Sequence, residues 1–434
     1  MKIAFCTLGC KVNQYETQAL SEIFEDLGYI VVKENDDPDI IVVNSCTVTA
    51  ESDRKTRQTV RKLRTKHQGS IIVLCGCMPS AFPKSAENLL EADMVFGNTD
   101  HKKIPALLEE YLKNHNRIVS IDKHEKGETF AENTISRFSE RTRAYIKIED
   151  GCNRFCSYCA IPYARGRVRS KALETIGKEA ETLSLNGFSE IVLVGINLSA
   201  FGTDNGINIC DAVEVAAKPD GIKRVRLGSL EPDHISDEIL LKLKKIQKFC
   251  PQFHLSLQSG CDQTLKRMNR HYDTAFYKDL VDRIRSIFPT ASITTDVMVG
   301  FAGETKEEFN HSLEFVKSIG FAKCHVFAYS KREGTRAYDF ENQVDNATKK
   351  ARSDKMIQVA NDGQKEFLKR QLGTAQNVLI ERIKDGIAEG YTENYTRIYA
   401  KTYDNLEGKI VQVKPYDYFE DGLIGNITYE RGTE

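Results

Sequence analysis

The segment that decides the fold runs from residue 150 to residue 159 and reads Asp150-Gly151-Cys152-Asn153-Arg154-Phe155-Cys156-Ser157-Tyr158-Cys159. It follows an apolar, strand-like run, and its C-x3-C-x2-C spacing brings three thiolates within reach of one small inorganic centre. Soft thiolate ligands select zinc, copper(I) or iron–sulfur clusters. Because structural zinc takes four ligands and a [4Fe–4S] cluster has four irons, three local cysteines favour a cluster with one open iron. The alternative is a zinc knuckle whose fourth ligand lies elsewhere.

Composition limits the protein class. The chain has 434 residues, 41% of them hydrophobic and 28% charged, with a formal net charge of −1. This length predicts two or three domains, and a near-neutral chain needs a local patch if it binds nucleic acid. The chain opens directly into a strand-like segment and carries no long apolar run, so neither a signal peptide nor a membrane span is expected. Its twelve cysteines therefore indicate metal or redox chemistry in a cytoplasmic protein.

Residues 1–112 alternate between strand-like and helix-like patterns, which predicts a parallel α/β sheet of Rossmann-like type. The candidate strands are Lys2–Leu8, Ile40–Asn44, Ile71–Leu74 and Met94–Phe96, and the candidate helices include Tyr15–Leu27 and Asp53–His67. Cys10, Cys46 and Cys77 each stand just beyond a strand. Because the carboxyl ends of parallel strands form one edge, these cysteines are predicted to meet around a second open cluster. Cys75 is the rival to Cys77 as a ligand.

Residues 113–140 are polar and charged and are interpreted as a linker. A second series of strands and helices then predicts a partial (β/α)6 barrel over residues 138–367, with a doubly wound sheet as the alternative. Its candidate strands are Ala144–Ile148, Ile191–Gly195, Val225–Ser229, His254–Gln258, Ile293–Val299 and His325–Tyr329. Chemistry in such barrels lies at the carboxyl ends of the strands, where Cys152 stands.

The last part of the chain has short β-like runs separated by turn signals. A long helix is predicted over 345–371, followed by a small antiparallel β-barrel over 372–434. The predicted strands are Asn377–Ile380, Tyr395–Ala400, Gly408–Val413 and Leu423–Tyr429, with turns at Asp385-Gly386 and Asp421-Gly422. This segment has seven Lys or Arg and eleven Asp or Glu residues, a net charge of −4. Its tyrosines, including Tyr391, Tyr395, Tyr399 and Tyr403, offer stacking surfaces for unpaired bases.

These motifs resemble, in the same order, those of the radical S-adenosylmethionine (SAM) methylthiotransferases. The runs that carry the resemblance are Leu8-Gly9-Cys10-Lys11-Val12-Asn13-Gln14-Tyr15-Glu16-Thr17, Asn44-Ser45-Cys46-Thr47-Val48-Thr49, Gly76-Cys77-Met78, Gly151-Cys152 through Pro162, and Ala164-Arg165-Gly166. The terminal barrel resembles the family's RNA-binding TRAM domain. The residues after Cys10 resemble the branch that acts on N6-threonylcarbamoyladenosine (t6A) in tRNA.

The resemblance implies a reaction and its cofactors. Cys152, Cys156 and Cys159 would ligate a [4Fe–4S] cluster that cleaves SAM to a 5′-deoxyadenosyl radical, which removes hydrogen from adenine C2. Cys10, Cys46 and Cys77 would ligate a second cluster that holds the sulfur methylated by another SAM. The implied partners are a tRNA anticodon stem-loop, a reductant such as flavodoxin or ferredoxin, and a sulfur donor. The alternatives are N6-isopentenyladenosine or a ribosomal-protein aspartate as substrate, or a zinc-stabilised RNA-binding protein without catalysis.

Further residues are candidates for binding SAM or RNA. Polar groups and glycines at the ends of barrel strands are candidates for SAM binding: Tyr158, Gly195, Asn197, Ser229, Glu231, Gln258 and Ser259. Asp296 interrupts an apolar strand and permits a structural or a substrate role. The segment 53–66 carries seven basic residues and one acid, and four of its arginines share a helix face. The candidate phosphate contacts are Arg54, Arg57, Arg61, Arg64, Arg165 and Arg167.

Overall fold

The computed structural model describes residues 1–99, 101–138 and 142–428. Six parallel strands form the first sheet, in the order β2-β1-β3-β4-β5-β6. They are β1 (Lys2–Thr7), β2 (Ile30–Val31), β3 (Ile40–Ser45), β4 (Ile71–Gly76), β5 (Met94–Phe96) and β6 (Ile118–Ser120). The helices are α1 (Lys11–Asp26), α2 (Ala50–Lys66), α3 (Cys77–Ala81), α4 (Pro83–Glu87) and α5 (Lys103–Asn114). The predicted Rossmann-like parallel sheet is confirmed.

The central strands of this sheet are apolar on both faces because helices cover both faces. Ile40 and Val42 of β3 pack in one core with side chains of α1 and α5. The alternate residues Ile41 and Val43 pack in a second core with α2, α3 and α4. The predicted linker 113–140 contains β6, an edge strand that pairs in parallel with β5. Because the residues around this short strand are polar and charged, the sequence pattern did not predict it.

A partial barrel of parallel strands follows, as predicted. Its hydrogen-bonded orders are β7-β10-β11 and β12-β13-β14-β15. The strands are β7 (Arg143–Lys147), β10 (Glu190–Val194), β11 (Arg224–Leu227), β12 (Ser229–Leu230), β13 (Gln252–Leu255), β14 (Ser292–Val299) and β15 (Lys323–Ala328). A short antiparallel pair, β8 (Glu149–Asp150) and β9 (Arg169–Ser170), brackets the cysteine run. The predicted third strand is divided at Gly228 into β11 and β12.

Helices separate these strands along the chain. They are α6 (Ile161–Arg165), α7 (Leu173–Leu185), α8 (Ile209–Ala217), α9 (Asp237–Lys245), α10 (Asp262–Arg267), α11 (Thr274–Ile287) and α12 (Lys306–Ile319). Helix α13 (Asn346–Lys369) then packs beside β15 and leads to the last unit. Within the described ranges, no helix has both the length and the apolar character needed to cross a membrane.

The last unit is a closed five-stranded barrel in the order β16-β17-β18-β20-β19. Its strands are β16 (Gln376–Lys384), β17 (Ile387–Thr392), β18 (Arg397–Lys401), β19 (Ile410–Phe419) and β20 (Gly422–Ile427). Strand β17 was missing from the sequence prediction, and the β18–β20 pair is parallel within an otherwise antiparallel barrel. Asp385 and Gly386 both have positive φ, as a two-residue hairpin turn requires. Tyr429, the predicted end of the last strand, lies outside the described residues.

Three arginines of the (β/α)6 barrel attach this small barrel. Arg224 donates to the carbonyls of Asn377 (2.8 Å) and Tyr391 (3.0 Å). Arg226 donates to the carbonyls at positions 392 and 393, at 3.2 and 2.8 Å. Both arginines and Arg143 lie beside the fully buried Glu190, at 3.1 to 3.8 Å. This single carboxylate therefore compensates buried positive charge at the junction.

We predict that Glu190→Ala destabilises the protein by about 3–5 kcal/mol, because removing one partner of a buried ion pair leaves uncompensated charge. The urea midpoint measured by circular dichroism should fall, and protease should cut between α13 and β16. Glu174→Ala, which removes an exposed ion pair with Lys178, is the control and should not change the midpoint. An unchanged urea midpoint for Glu190→Ala would show that Glu190 does not compensate the buried arginines at the junction.

Candidate active site

Three adjacent strands of the first sheet carry the first cysteine triad. Strands β1, β3 and β4 are neighbours, and Cys10, Cys46 and Cys77 follow them at one edge. Gly9 has a φ of +137°, and a Cβ there would stand 2.8 Å from the Cβ of Cys46. Gly76 has a φ of +97° and likewise has no room for a side chain. Glycine at both positions therefore permits the close approach of the cysteine-bearing loops.

Side chains of α1 hold this edge in place. The Cys10 thiol donates to Asn13 Oδ1 at 3.2 Å, and Asn13 Nδ2 donates to Asn44 Oδ1 and to the Ser45 carbonyl, both at 3.0 Å. Cys75, in contrast, lies within β4 and packs in the apolar core. Burial raises the pKa of the Cys77 thiol to about 12, although Arg165 opposes this. The protein alone thus keeps this thiol neutral.

The second triad lies in the loop between β8 and α6. Its backbone is fixed by hydrogen bonds from Cys152 N to the Gly166 carbonyl and from Cys159 N to the Cys156 carbonyl, both at 3.0 Å. All three thiols are half-buried, and burial raises the pKa of Cys152 to about 12. In this structure, no three His, Cys, Asp or Glu side chains of the described residues are arranged to hold a single metal ion.

Arg270 is a site residue that the sequence did not reveal. Its Nη1 donates to Cys156 Sγ at 3.2 Å, and its Nη2 pairs with the carboxylate of Glu231. Glu231, a candidate SAM contact, therefore already has an arginine partner. The guanidinium of Arg270 therefore lies directly against a sulfur of the second triad.

Three buried acceptors at strand ends have no donor among the described residues: Glu149 Oε1, Asn197 Oδ1 and Gln258 Oε1. Glu149 Oε2 accepts from Asn197 N at 2.7 Å, and a Cβ on Gly195 would stand 2.7 Å from the same oxygen. Gln258 adopts a φ of +65°, which is uncommon for a side-chain-bearing residue. Buried polar groups normally have partners, so these three side chains are suited to binding polar groups of a ligand.

The other candidate SAM residues have different surroundings. Tyr158 lies beside Cys156 and Cys159, and burial raises its pKa well above the usual value. Ser229 is exposed and lies 3.1 Å from the Ser256 hydroxyl. Ser259 is fully buried and accepts from Cys261 N at 3.3 Å, so its hydroxyl caps a turn instead of facing a ligand.

A buried network of charges joins the first sheet to the (β/α)6 barrel and contacts the first triad at Cys77. Glu16 of α1 accepts from Arg165 at 2.7 and 2.9 Å and from Lys147 at 2.7 Å. Asp150 accepts from the same two cations, at 2.6 Å from Lys147 and 3.2 Å from Arg165. Burial alone would raise the pKa of Glu16, but Arg165 and Lys147 lower it to about 2. Arg165 Nε also donates to Cys77 Sγ at 3.2 Å.

This network corrects one prediction. Arg165 was a candidate RNA contact, yet its side chain is fully buried and paired with two carboxylates. Its place in a basic run of the sequence gave no sign of burial. Arg167 is exposed and lies over the Phe155 ring, 4.6 Å from its centroid. Arg167 therefore remains available to a phosphate group.

The arginines of α2 are already partly paired. Arg54 binds Glu51 at 2.5 Å, Arg61 binds Glu91 at 3.0 Å, and Arg64 pairs with Asp93. Arg64 also donates to the Ser70 carbonyl at 3.0 Å, which makes it a structural residue. Arg54 and Arg61 are exposed and Arg57 is half-buried, so these three are accessible to solvent.

A cavity of about 650 Å³ lies between the three parts of the molecule. The first sheet contributes Cys10 and Lys11, and the (β/α)6 barrel contributes strand residues such as Gly195 and Ser229. The small barrel contributes Tyr391 and Tyr395, whose rings stack at 4.5 Å. The other two tyrosines of the small barrel that were predicted to stack on bases have different exposures. Tyr399 is buried in the small barrel, whereas Tyr403 is fully exposed. The cavity is thus bordered by Cys10 of the first triad and by strand ends of the (β/α)6 barrel.

The polar lumen of the barrel also opens into this cavity. His254 Nε2 lies 3.3 Å from Asp296 Oδ2, and His254 Nδ1 lies 3.0 Å from the Thr294 hydroxyl. Burial would raise the pKa of Asp296, but His254 and His325 lower it. Asp296, the charged residue that interrupts the apolar strand β14, therefore has a histidine partner and faces the cavity.

Comparison with known proteins identifies two regions. Residues 2–97 match the Uncharacterized protein family UPF0004, and residues 146–316 match the Radical SAM superfamily. The structure resembles a radical S-adenosylmethionine methyltransferase, TsrM of Kitasatospora setae, with a TM-score of 0.57 and 14% identity. The match covers 78% of this chain and 77% of the other, and it supports the fold alone.

Sequence relatives are more similar. The threonylcarbamoyladenosine tRNA methylthiotransferase MtaB of Thermotoga maritima is 39% identical over 86% of this chain and 85% of its own length. The protein of the same name from Aquifex aeolicus is 37% identical over 88% and 93%. The tRNA-2-methylthio-N(6)-dimethylallyladenosine synthase of Pelotomaculum thermopropionicum is 34% identical over 88% and 87%.

We predict that Glu16→Ala destabilises the protein by about 3–5 kcal/mol, because Arg165 and Lys147 would keep only Asp150 as a buried counter-charge. Urea unfolding should show the loss, and limited proteolysis should show faster cutting between the first sheet and the barrel. Glu51→Ala removes an exposed partner of Arg54 and serves as the control. Equal behaviour of the two variants would show that the network does not hold the units together.

Proposed function

Because this chain belongs to the radical SAM methylthiotransferase family, we propose that it converts t6A beside the anticodon (position 37) of tRNA to 2-methylthio-t6A, in the cytoplasm. Relatives named for t6A are 35–39% identical, against 32–34% for relatives named for dimethylallyladenosine, that is, isopentenyladenosine. The observation that carries the proposal is the cavity that Cys10 shares with the barrel strand ends. A nucleotide bound there would lie beside Cys10 of the first triad and the strand ends of the barrel.

The residues present fit two iron–sulfur clusters and SAM. Each triad offers three soft donors, which leaves one iron of a [4Fe–4S] cluster open. Cys152, Cys156 and Cys159 would hold one cluster, and Cys10, Cys46 and Cys77 the other. The unpartnered acceptors of Glu149, Asn197 and Gln258 suit the amino and hydroxyl groups of SAM. When bound, these groups would supply a radical that removes hydrogen and a place for the sulfur to be transferred.

The protein's own side chains then bind, orient and exclude water. Arg270 holds Glu231 and Cys156 in one arrangement, and Arg165 holds Cys77. The small barrel closes one side of the cavity through Tyr391 and Tyr395, which limits the access of water to a reactive radical. We propose that Arg54, Arg57, Arg61 and Arg167 contact tRNA phosphates outside the cavity. A low-potential reductant such as flavodoxin or ferredoxin and a sulfur donor complete the reaction.

The domain limits proposed from the sequence are consistent with these roles. Residues 1–112 would carry the sulfur site, 138–367 the SAM site and 372–434 the RNA-binding barrel. The alternative substrates are isopentenyladenosine in tRNA and a ribosomal-protein aspartate. A zinc-stabilised RNA-binding protein is the non-catalytic alternative, and analysis of iron and labile sulfide distinguishes it.

We predict that replacing Cys152, Cys156 and Cys159 by Ala removes about half of the iron and abolishes SAM cleavage, since each triad would hold one cluster. Replacing Cys10, Cys46 and Cys77 should also remove about half of the iron, yet leave cleavage of SAM to 5′-deoxyadenosine intact. Iron, sulfide and 5′-deoxyadenosine are measured after anaerobic reconstitution. Cys75→Ala is the matched control and should keep all the iron. Unchanged iron in either triple variant would refute that cluster site.

We predict that the reduced enzyme, given SAM and sulfide, methylthiolates t6A-containing tRNA and not isopentenyladenosine-containing tRNA. The threonylcarbamoyl group carries a carboxylate and a hydroxyl, and a pocket built for them rejects an apolar group strongly. Mass spectrometry of nucleosides from both tRNAs in one reaction provides the measurement. Modification of only isopentenyladenosine would refute the t6A assignment and leave the radical chemistry standing.

A further inference from the structure

One cation that lines the central cavity has no carboxylate partner among the described residues. Lys11 follows Cys10 directly and begins α1. Three other cationic groups of the cavity region are paired: Arg143 with Glu381 at 2.5 Å, Arg397 with Asp421 at 2.9 Å, and His254 with Asp296 at 3.3 Å. Within the described residues, Lys323 is the other lysine of the cavity wall without an ion pair, and both lysines are exposed.

The surroundings of Lys11 are positively charged. Lys11 and Tyr395 line the same cavity, and the guanidinium groups of Arg143 and Arg226 lie 5.1 and 4.8 Å from the centroid of the Tyr395 ring. Burial alone would raise the pKa of Tyr395, yet Arg143, Lys11 and Arg226 lower it overall. Glu190, which lies beside Arg143 and Arg226, is already engaged by these two residues and by Arg224. The Lys11–Tyr395 corner is therefore a place of positive potential inside a cavity.

A cation in such a place gains from an anionic ligand. Lys11 is exposed to the cavity, so its ammonium can meet a ligand directly, and the positive charges nearby favour an anionic one. A carboxylate between the ammonium and the phenol hydroxyl would accept charge-assisted hydrogen bonds from both. An uncharged alkyl group in the same position would make neither hydrogen bond.

We propose that the Lys11 ammonium and the Tyr395 hydroxyl bind the carboxylate of the N6 substituent of the target nucleoside. This subsite rests on the proposed function and names the residues that select t6A. Lys11 adjoins Cys10, so binding of the carboxylate would fix the modified base next to the first triad. Tyr395 comes from the small barrel, which therefore takes part in selecting the modified base as well as in holding RNA.

The two arginines that follow the second triad, Arg165 and Arg167, do not fit this role. Arg165 is committed to Glu16 and Asp150. Arg167 stacks on Phe155 and borders a different cavity, together with Tyr163. Lys11, in contrast, lies in the run that distinguishes the branches of the family.

The test measures binding of anticodon stem-loop RNAs to the full-length, reconstituted enzyme by fluorescence anisotropy. One RNA carries t6A, the second carries the methyl ester of t6A, which has no charge, and the third carries isopentenyladenosine. The wild type should bind the t6A RNA about 10- to 100-fold more tightly than the ester RNA, the range for charge-assisted hydrogen bonds. Lys11→Met should remove this difference by weakening only the t6A RNA, and Tyr395→Phe should reduce it.

Two variants control for charge and folding. Lys11→Arg keeps the charge and should keep discrimination against the ester. Lys323→Met removes a positive charge from the same cavity wall and should change the affinities for the t6A and ester RNAs by the same factor. Equal affinity of the wild type for these two RNAs, equal weakening of both by Lys11→Met, or selective loss in Lys323→Met would overturn the subsite.

A parallel reaction separates this inference from the proposed function. Wild-type enzyme with SAM, sulfide and a reductant is offered the t6A and isopentenyladenosine RNAs. Modification of isopentenyladenosine alone would reject the proposed substrate and the subsite together. Modification of t6A by the wild type, with full discrimination kept in Lys11→Met, would reject the subsite alone.

Discussion

The bidentate ion pair between Glu16 and Arg165 is the contact on which the arrangement of the site depends. Glu16 stands six residues after Cys10, and Arg165 stands six residues after Cys159 and touches Cys77. Lys147 and Asp150 complete a network in which every charge has a partner. Desolvating these groups is expensive, and the cost is recovered only when all of them meet in good geometry. The first sheet and the (β/α)6 barrel can therefore pack against each other in only one relative position. This position sets the distance between the two cysteine triads.

Much of this architecture was predictable from local patterns. Strand positions follow from apolar runs, and the cysteines of the first sheet follow from the rule that parallel strands end at one edge. The network was not predictable, since Glu16, Lys147 and Arg165 are far apart in the sequence. A basic run containing Arg165 and Arg167 looks uniform, although one side chain is fully buried and the other is exposed. The acidic partners of Arg61 and Arg64 likewise come from another segment. Helix periodicity alone therefore did not show that these arginines form ion pairs within the protein.

The strand ends of the (β/α)6 barrel combine a fixed backbone with side-chain oxygens that lack a hydrogen-bond donor among the described residues. Gln258 is held in a left-handed conformation by hydrogen bonds from its backbone to positions 296 and 298. Its side-chain oxygen, with those of Glu149 and Asn197, has no donor among the described residues. Burying acceptors without donors costs stability, and the cost is removed when a ligand supplies the donors. Strain and unsatisfied polarity together indicate a site that is organised before its ligand arrives.

The manner in which the small barrel is attached has a consequence for how this protein can change. Arg224 and Arg226 hold the barrel through main-chain carbonyls, at positions 377, 391, 392 and 393. Every amino acid supplies a carbonyl, so these attachment points do not depend on which side chains the barrel carries. Substitutions on its outer strands can therefore accumulate while the barrel keeps its position over the cavity.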